Sequence, residues 1–465
     1  MEQFKQNVCS YLSSVNNINK DGNPLLVNPQ SQSDSDSQCF QNGLRWLVTF
    51  KSPVETWNEE PTFLFIQISV ILGSILNFIH AWKNGGRFIH FWWATIIVSF
   101  VTECVCYLIP NIDSYWHAQG VVGLFGKRFP LYIVFVYNQF WYTAWVAVLR
   151  MNLKWWAEPF AVGVAAVLID LPYDIMGVKM LWWTWHDTDA NIFDRHYHVP
   201  WTSYYFHSSF LAAMLFIFFG SRKLLMPSKS KFESGNCLLE WLCTMLSGWL
   251  AMPVGSVVFI MLFYHPLHDW LNVHSEVPVM MWLAVCLLIT WISDRNSSAK
   301  SRTGFTADKL FSLPVLNVVQ HFLLFILLMF VSKPEEVRST GLHQTIGPCN
   351  ETEDTFSISG AILPRQKYLC PENYEEAFDF HCRPGGNPPP SGSSWYTMCG
   401  TPYENPMEYK LIIWFCCAIG LLVYCQILLF SGDQLPARQT LATAKQTTVS
   451  PTSKKLNKKK NRKQE

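Results

Sequence analysis

The sequence predicts an all-α, polytopic membrane protein of about nine transmembrane helices, with one disulfide-stapled loop outside the membrane. Three observations carry this. Of 465 residues, 50% are hydrophobic and only 15% charged, where a soluble domain carries roughly 25% charged residues. The charge deficit is concentrated in windows long enough to span a bilayer as helices of about 20 residues. The loops between those windows also differ sharply in basic residues. This composition excludes a soluble enzyme, a channel-forming barrel and a nucleic-acid binder. The bilayer itself is the expected partner.

The nine windows are residues 62–82, 88–109, 129–149, 158–178, 204–220, 238–264, 277–292, 313–331 and 409–430. The fourth contains Asp170, Pro172 and Asp174, and the seventh is short. Residues 1–60 hold no apolar run long enough for a secretory signal, so the first window is expected to serve as the targeting signal. The resulting organisation is a polar segment at 1–60, an eight-helix membrane domain at 61–332, a cysteine-containing loop at 333–408, a ninth helix at 409–430 and a basic tail at 431–465.

Short loops rich in Lys and Arg stay in the cytosol. The loops after windows one, three, five and seven hold twelve basic residues, among them Lys83, Arg150, Arg222 and Arg302; those after windows two, four and six hold four, Lys127, Arg128, Lys179 and Arg195. The N terminus and residues 332–408 are therefore expected on the lumenal or extracellular side, and the tail in the cytosol. The tail's nine basic residues agree. Its end, Arg462-Lys463-Gln464-Glu465, resembles a degenerate dilysine retrieval signal. The expected location is the secretory pathway, in the endoplasmic reticulum or plasma membrane.

Cys9, Cys39, Cys349, Cys370, Cys382 and Cys399 all fall on the non-cytosolic side. An oxidising compartment permits disulfides, and six cysteines allow fifteen pairings among which the sequence does not choose. Asn350-Glu351-Thr352 is an acceptor sequon on the same side, whereas Asn296-Ser297-Ser298 sits in a basic cytosolic loop and is expected to stay bare. Residues 10–38 are polar and read as poorly ordered; Gly385-Gly386-Asn387-Pro388-Pro389-Pro390 reads as a loop.

Candidate chemistry comes from polar groups at membrane depth, which are costly there. Glu103 sits within the second window, and Asp170 and Asp174 lie one helical turn apart in the fourth, on one face. Two carboxylates that close in low dielectric do not both ionise readily, so one is expected to hold a proton. Such a pair suits general acid or base work. The structural alternative puts Asp174 at the interface and Asp170 in a hydrogen bond to a neighbouring helix. Next come Trp182-Trp183-Thr184-Trp185-His186-Asp187-Thr188-Asp189 and Asp194-Arg195-His196-Tyr197-His198-Val199-Pro200-Trp201. Tryptophans at a helix end are normally interfacial anchors. These histidines, with His265, His268 and His274, are of types that ligate Zn or Fe. The paired-histidine clusters of membrane di-iron enzymes are missing, and solvated histidines without metal are the expectation. No dinucleotide fingerprint or phosphate loop occurs, and no cofactor is expected.

Asp170-x3-Asp174-x2-Gly177, Trp183-Thr184-Trp185 and Tyr197-His198-Val199-Pro200-Trp201-Thr202-Ser203 resemble the bacterial and archaeal carotenoid-biosynthesis membrane family, which includes bisanhydrobacterioruberin hydratases. That family runs from an Asp-rich helix to Trp-Thr-Trp and then Tyr-Gly-Val-Pro-Trp-Ser-Asn. A looser match covers Glu103, Tyr115-Trp116-His117 and the stretch from Gly123 to Pro130, so the resemblance spans about residues 95–215. His198 stands where the family has Gly, and Ser203 where it has Asn. The resemblance implies a similar membrane fold, an isoprenoid-like ligand and acid-initiated work on a double bond, of the hydration, isomerisation or cyclisation type. Asp170 or Asp174 would be the acid and Glu103 its partner or base, with Trp183, Trp185, Trp201, His117 and His198 at the ligand. The competing class is a lipid-binding scaffold or a transporter, which a helix broken around Pro172 would suit.

Overall fold

Eight helices long and apolar enough to cross a membrane dominate the computed structural model. It describes residues 35–294, 307–357, 360–374 and 377–431, with side chains from residue 41. The helices are α1 (Pro61–Asn84), α2 (Arg87–Leu108), α4 (Glu158–Lys179), α5 (Thr202–Leu225), α6 (Cys237–Asp269), α7 (Glu276–Asp294), α8 (Leu313–Val331) and α9 (Pro406–Phe430). A further helical run, α3, occupies residues 132–149. Asn138 and Gln139 lie in its middle. The chain is a multi-pass membrane protein.

Local chemistry sets the helix ends. Pro61, Pro159, Pro314 and Pro406 sit in first turns, where the missing N–H costs nothing. Asn236 caps α6 by accepting from Leu238 N and Leu239 N. The turn from α1 to α2 uses Gly85 and Gly86 at φ 64° and 54°; a Cβ on Gly86 would meet the Phe232 carbonyl at 2.3 Å.

Helix α4 is the axis of the bundle. Its apolar window is 83% buried, against 28% for α7 and α9 at the rim, so its carboxylates face protein rather than lipid. Pro172 does not break it; the helix is continuous from Glu158 to Lys179. Neighbours cover backbone oxygens in the turns before the proline: His321 Nε2 meets the Ile169 carbonyl at 2.7 Å, and Tyr424 Oη donates to that of Ala165 at 2.7 Å. Neighbouring helices commonly satisfy groups that a proline frees in a membrane.

Two polar clasps tie the surrounding helices. In α3 the segment Asn138–Tyr142 is a π turn. Asn77 Nδ2 donates to the Asn138 and Gln139 carbonyls there at 3.1 and 3.4 Å, while Asn317 Nδ2 reaches Asn77 Oδ1 and Thr143 Oγ1. At the opposite end from the cap described next, buried Glu240 bridges Arg87 at 2.8 Å and Arg222 at 3.0 Å, joining α2, α5 and α6.

The bundle is helical, as expected of an all-α polytopic membrane protein, and the other end adds short strands. The described residues of the disulfide-stapled segment 333–408 form a β cap. Its strands are β3 (Arg338–Leu342), β4 (Thr352–Phe356), β5 (Ile362–Gln366), β6 (Phe378–Asp379) and β7 (Trp395–Gly400). Strand β7 pairs with β3 and β6, and β4 pairs with β5, all antiparallel. Disulfides Cys349–Cys370 and Cys382–Cys399 staple it. Cys9 and the side chain of Cys39 lie outside the described residues. The run at 387–390 is a loop, as read, after a short 3-10 turn at Pro384–Gly386. Two bundle strands, β1 (Tyr115–His117) and β2 (Trp183–Trp185), pair beneath the cap in the register Tyr115↔Trp185 to His117↔Trp183. The third window also shortens: Phe129–Pro130 is a strand, and helix begins at Tyr132.

Candidate functional site

A cavity of about 530 Å³ lies inside the capped half of the bundle, lined from α2, α3, α4, α5 and α6, both bundle strands and the end of β4. Its wall is mostly apolar. Glu103, His117, Asp174, Ser203, His207 and His265 supply the ionisable and hydroxyl groups that matter here.

Two helices build the centre of the site by matched spacing. On α4, Asp170 and Asp174 are one turn apart; on the antiparallel α5, Ser203 and His207 are also one turn apart. The result is two rungs. Ser203 Oγ donates to Asp174 Oδ2 at 2.6 Å, and His207 Nε2 lies 3.3 Å from Asp170 Oδ1. His207 belongs to a π turn, Phe206–Phe210, a local widening that often marks functional positions. Trp141 Nε1 donates to His207 Nδ1 at 3.3 Å, and Tyr137 stacks on the imidazole. Asp170 is fully buried, and neither of its oxygens makes a hydrogen bond of good geometry. Across the cavity, Glu103 Oε2 lies 3.4 Å from His117 Nε2.

Aromatic faces line the space between these groups. Trp183 packs on Tyr173 with ring centroids 4.7 Å apart, and it does so against Gly177, where a Cβ would meet the indole at 2.2 Å. That close approach explains the glycine in the Asp170-x3-Asp174-x2-Gly177 pattern. Trp185 also lines the cavity.

Of the residues singled out from the sequence, Glu103, Asp174, His117, Trp183 and Trp185 converge on the cavity, and Asp170 stands one contact behind it, at His207. Two do not reach it. Trp201 stacks on His196 with centroids 4.2 Å apart. His198 occupies a two-residue turn between strands Arg195–His196 and Val199–Pro200, with Tyr197 at φ 48° and His198 at φ 65°. Burial and nearby Lys179 push the His198 imidazole down to about 4. Sequence reasoning missed His207, took Ser203 only as a motif position and named His265 only as a metal-type histidine. The one available signal was the Ser203-x3-His207 spacing, which mirrors Asp170-x3-Asp174.

Asp170, Asp174 and His207 offer ligand atoms within 4.8 Å of one another, the spacing a metal requires. The hydrogen bonding favours another use. Trp141 donates to His207 Nδ1, so the neutral ring carries its proton on Nε2, the atom turned toward Asp170. A second group, Asp379, His381 and Cys399, loses its thiolate to the Cys382–Cys399 disulfide. His186 holds the cap instead of a metal: Gln344 Nε2 meets its Nε2 at 3.2 Å, and burial with nearby Arg365 and Arg195 pushes it down to about 3.

A family described as Domain of unknown function (DUF7802) matches the chain over residues 27–429. The chain belongs to that family. No curated protein and no solved structure matches it. The DUF7802 match takes in the cavity, its carboxylates and the whole β cap.

Proposed function

We propose that this DUF7802 protein is a membrane-embedded enzyme that performs acid–base chemistry on an apolar, isoprenoid-like lipid. The observation that carries the reading is convergence: Glu103 and Asp174, remote in sequence, line one apolar cavity, with Asp170 behind it through His207. Carboxyls gathered on one apolar cavity beneath the cap fit catalysis, and the unbroken α4 lacks the interruption that a transporter reading invoked.

The chemistry follows from the two rungs. The Asp170–Asp174 pair shares a proton, and Asp174, at the cavity wall, delivers it to one carbon of a substrate double bond. The electron pair of that bond forms the new C–H bond and leaves a cation on the adjacent carbon. The faces of Trp183 and Tyr173 stabilise that charge. Glu103, beside His117, then takes a proton: from the neighbouring carbon in isomerisation or cyclisation, or from the attacking water in hydration. Each turnover removes one proton from the aspartate pair and leaves one on the Glu103–His117 pair. The resemblance to carotenoid-biosynthesis proteins supports an isoprenoid substrate, and the left-handed backbone at His198, where that family has Gly, fits the shared motif.

The finer topology belongs to the same reading. Nine spans, counting α3, put the N terminus and the cap in the lumen or outside the cell and the tail in the cytosol, in the endoplasmic reticulum or plasma membrane. The cavity then occupies the lumenal half of the bilayer. Mass spectrometry of lipid co-purifying in mild detergent tests the function. Wild type and Asp174→Asn should carry chemically different forms of one apolar lipid. An identical, unaltered lipid on both would leave a lipid-binding scaffold.

A further inference from the structure

Five side chains form a continuous series from the surface of the capped end to the cavity. His274 Nε2 lies 3.5 Å from Asp194 Oδ1. Asp194 Oδ2 lies 3.6 Å from His268 Nε2. His268 Nδ1 lies 2.8 Å from Asp269 Oδ1. Asp269 Oδ2 is hydrogen-bonded to His265 Nδ1, and His265 lines the cavity. Side-chain exposure falls from 51% at His274 to 1% at His265.

The atom order is the informative feature. At each of the three inner members of the chain, the atom facing the outer neighbour differs from the atom facing the inner one. Asp194 receives on Oδ1 and passes on from Oδ2; His268 receives on Nε2 and passes on from Nδ1; Asp269 receives on Oδ1 and passes on from Oδ2. An imidazole or carboxyl that relays a proton without turning does so in this way, accepting at one atom and releasing from the other. A clamp between loops has no such requirement. Neighbours hold the parts in place: Ser275 N donates to Asp194 Oδ2 at 2.7 Å, and Tyr264 stacks on His268 with centroids 4.5 Å apart. The two gaps beyond 3.4 Å are of the length that a single water or a small ring movement closes.

We infer that His274, Asp194, His268, Asp269 and His265 form a proton relay between solvent and the cavity. The inference rests on the acid–base reading of the same cavity and deepens it. Each turnover there takes one proton from the aspartate pair and deposits one at Glu103 and His117. The relay restores both to their starting state, one proton entering for each one leaving, with no other reactant consumed. Chains of Asp, Glu and His are the usual means of moving protons at membrane depth.

Infrared spectroscopy of the full-length protein in detergent tests this without any substrate. The C=O stretch of the protonated buried carboxyl, assigned by its loss in Asp174→Asn, shifts when deuterium replaces the proton. After transfer into D2O, His268→Ala should slow that shift by roughly a hundredfold, the lower range of what a positioned proton-transfer group contributes. Added imidazole should restore the rate. Asp269→Asn, which keeps the shape but cannot pass a proton, should slow it equally and without rescue, and it replaces His268→Ala if that variant fails to fold. A shift at the wild-type rate in either folded variant overturns the relay, as does slowing in His268→Ala that imidazole leaves unchanged. The readout is proton exchange, so it stands or falls separately from any lipid conversion.

Discussion

His207 Nε2 lies 3.3 Å from Asp170 Oδ1 in the interior of the bundle, and this contact organises the candidate site. It shares its helix register with the hydrogen bond from Ser203 to Asp174 one turn away, which holds α5 against α4. An apolar interface would have supplied the packing alone. An isolated carboxyl at the bilayer centre costs on the order of 2.5–3.5 kcal/mol on insertion scales, so two on one turn call for a use.

Asp174 separates structure from chemistry. In Asp174→Asn the amide oxygen still accepts from Ser203, so thermal unfolding in detergent should be nearly unchanged while lipid conversion disappears. Asp174→Leu strands the buried Ser203 hydroxyl and should cost about 1–3 kcal/mol, read as a lower Tm. Full conversion by Asp174→Asn would remove the acid from the account.

Glu60, just before α1, supplies a pH signature. Burial pushes its carboxyl up from 4.5 to about 7, against the hydroxyl of Thr62, which donates to it. The folded state therefore holds this proton more tightly than the unfolded state does. The group's contribution is fully present below pH 4.5 and is lost as pH rises through about 7. Across that window it amounts to roughly 3 kcal/mol. The Tm of wild type should fall over this range more steeply than that of Glu60→Gln, and the variant should be the more stable protein above pH 7. Parallel profiles would show that Glu60 titrates normally.

Arg365 latches the β4–β5 hairpin over the cavity mouth. Its guanidinium meets Asp189, a cavity residue, at 2.8 Å and Glu353 at 2.7 Å, and it donates to the Pro110 carbonyl. Arg365→Leu leaves Asp189 buried and without its cation, a change that typically costs about 3–5 kcal/mol. The loss should be local. Hydrogen exchange should accelerate at Thr352–Phe356 and Ile362–Gln366 while α4 stays protected.

Asn350 is exposed in a turn of the cap; Asn296 lies outside the described residues. The proposed orientation gives glycan to Asn350 alone. Glycosidase should increase the mobility of wild type and leave Asn350→Gln unmoved. A glycan that survives in Asn350→Gln and disappears in Asn296→Gln would invert the topology.

The bundle was legible because apolar windows interrupted by basic loops leave little choice of fold. Asn138 and Gln139 did not hide the third window, since aromatic and aliphatic residues flank them on both sides. Glu103, Asp170 and Asp174 were legible as charges where charge is costly. Their partners were not. His207 reads as one of several polar residues, with Ser203, Ser208 and Ser209, in an otherwise apolar stretch, and only the packing of α5 on α4 shows that the Ser203–His207 spacing meets that of the aspartates. Trp201 and His198 lie away from the cavity because the turn at Tyr197 and His198, with positive φ at both residues, folds their segment back on itself. The cap read as a loop because its strands are short and separated by Gly- and Pro-rich stretches. Its stability comes from long-range pairings, such as Trp395↔Leu342, and from two disulfides whose partners no local pattern specifies.

Solvent deuterium tests the central claim most directly. Membranes containing wild type, Asp174→Asn or no added protein are incubated in D2O, and their total lipid is analysed by mass spectrometry. Protonation of a double bond from a solvent-exchanged carboxyl should place carbon-bound deuterium in one apolar lipid, with or without an added water, in the wild-type membranes only. Equal deuterium in all three lipid extracts would contradict the assignment of this cavity to acid–base catalysis.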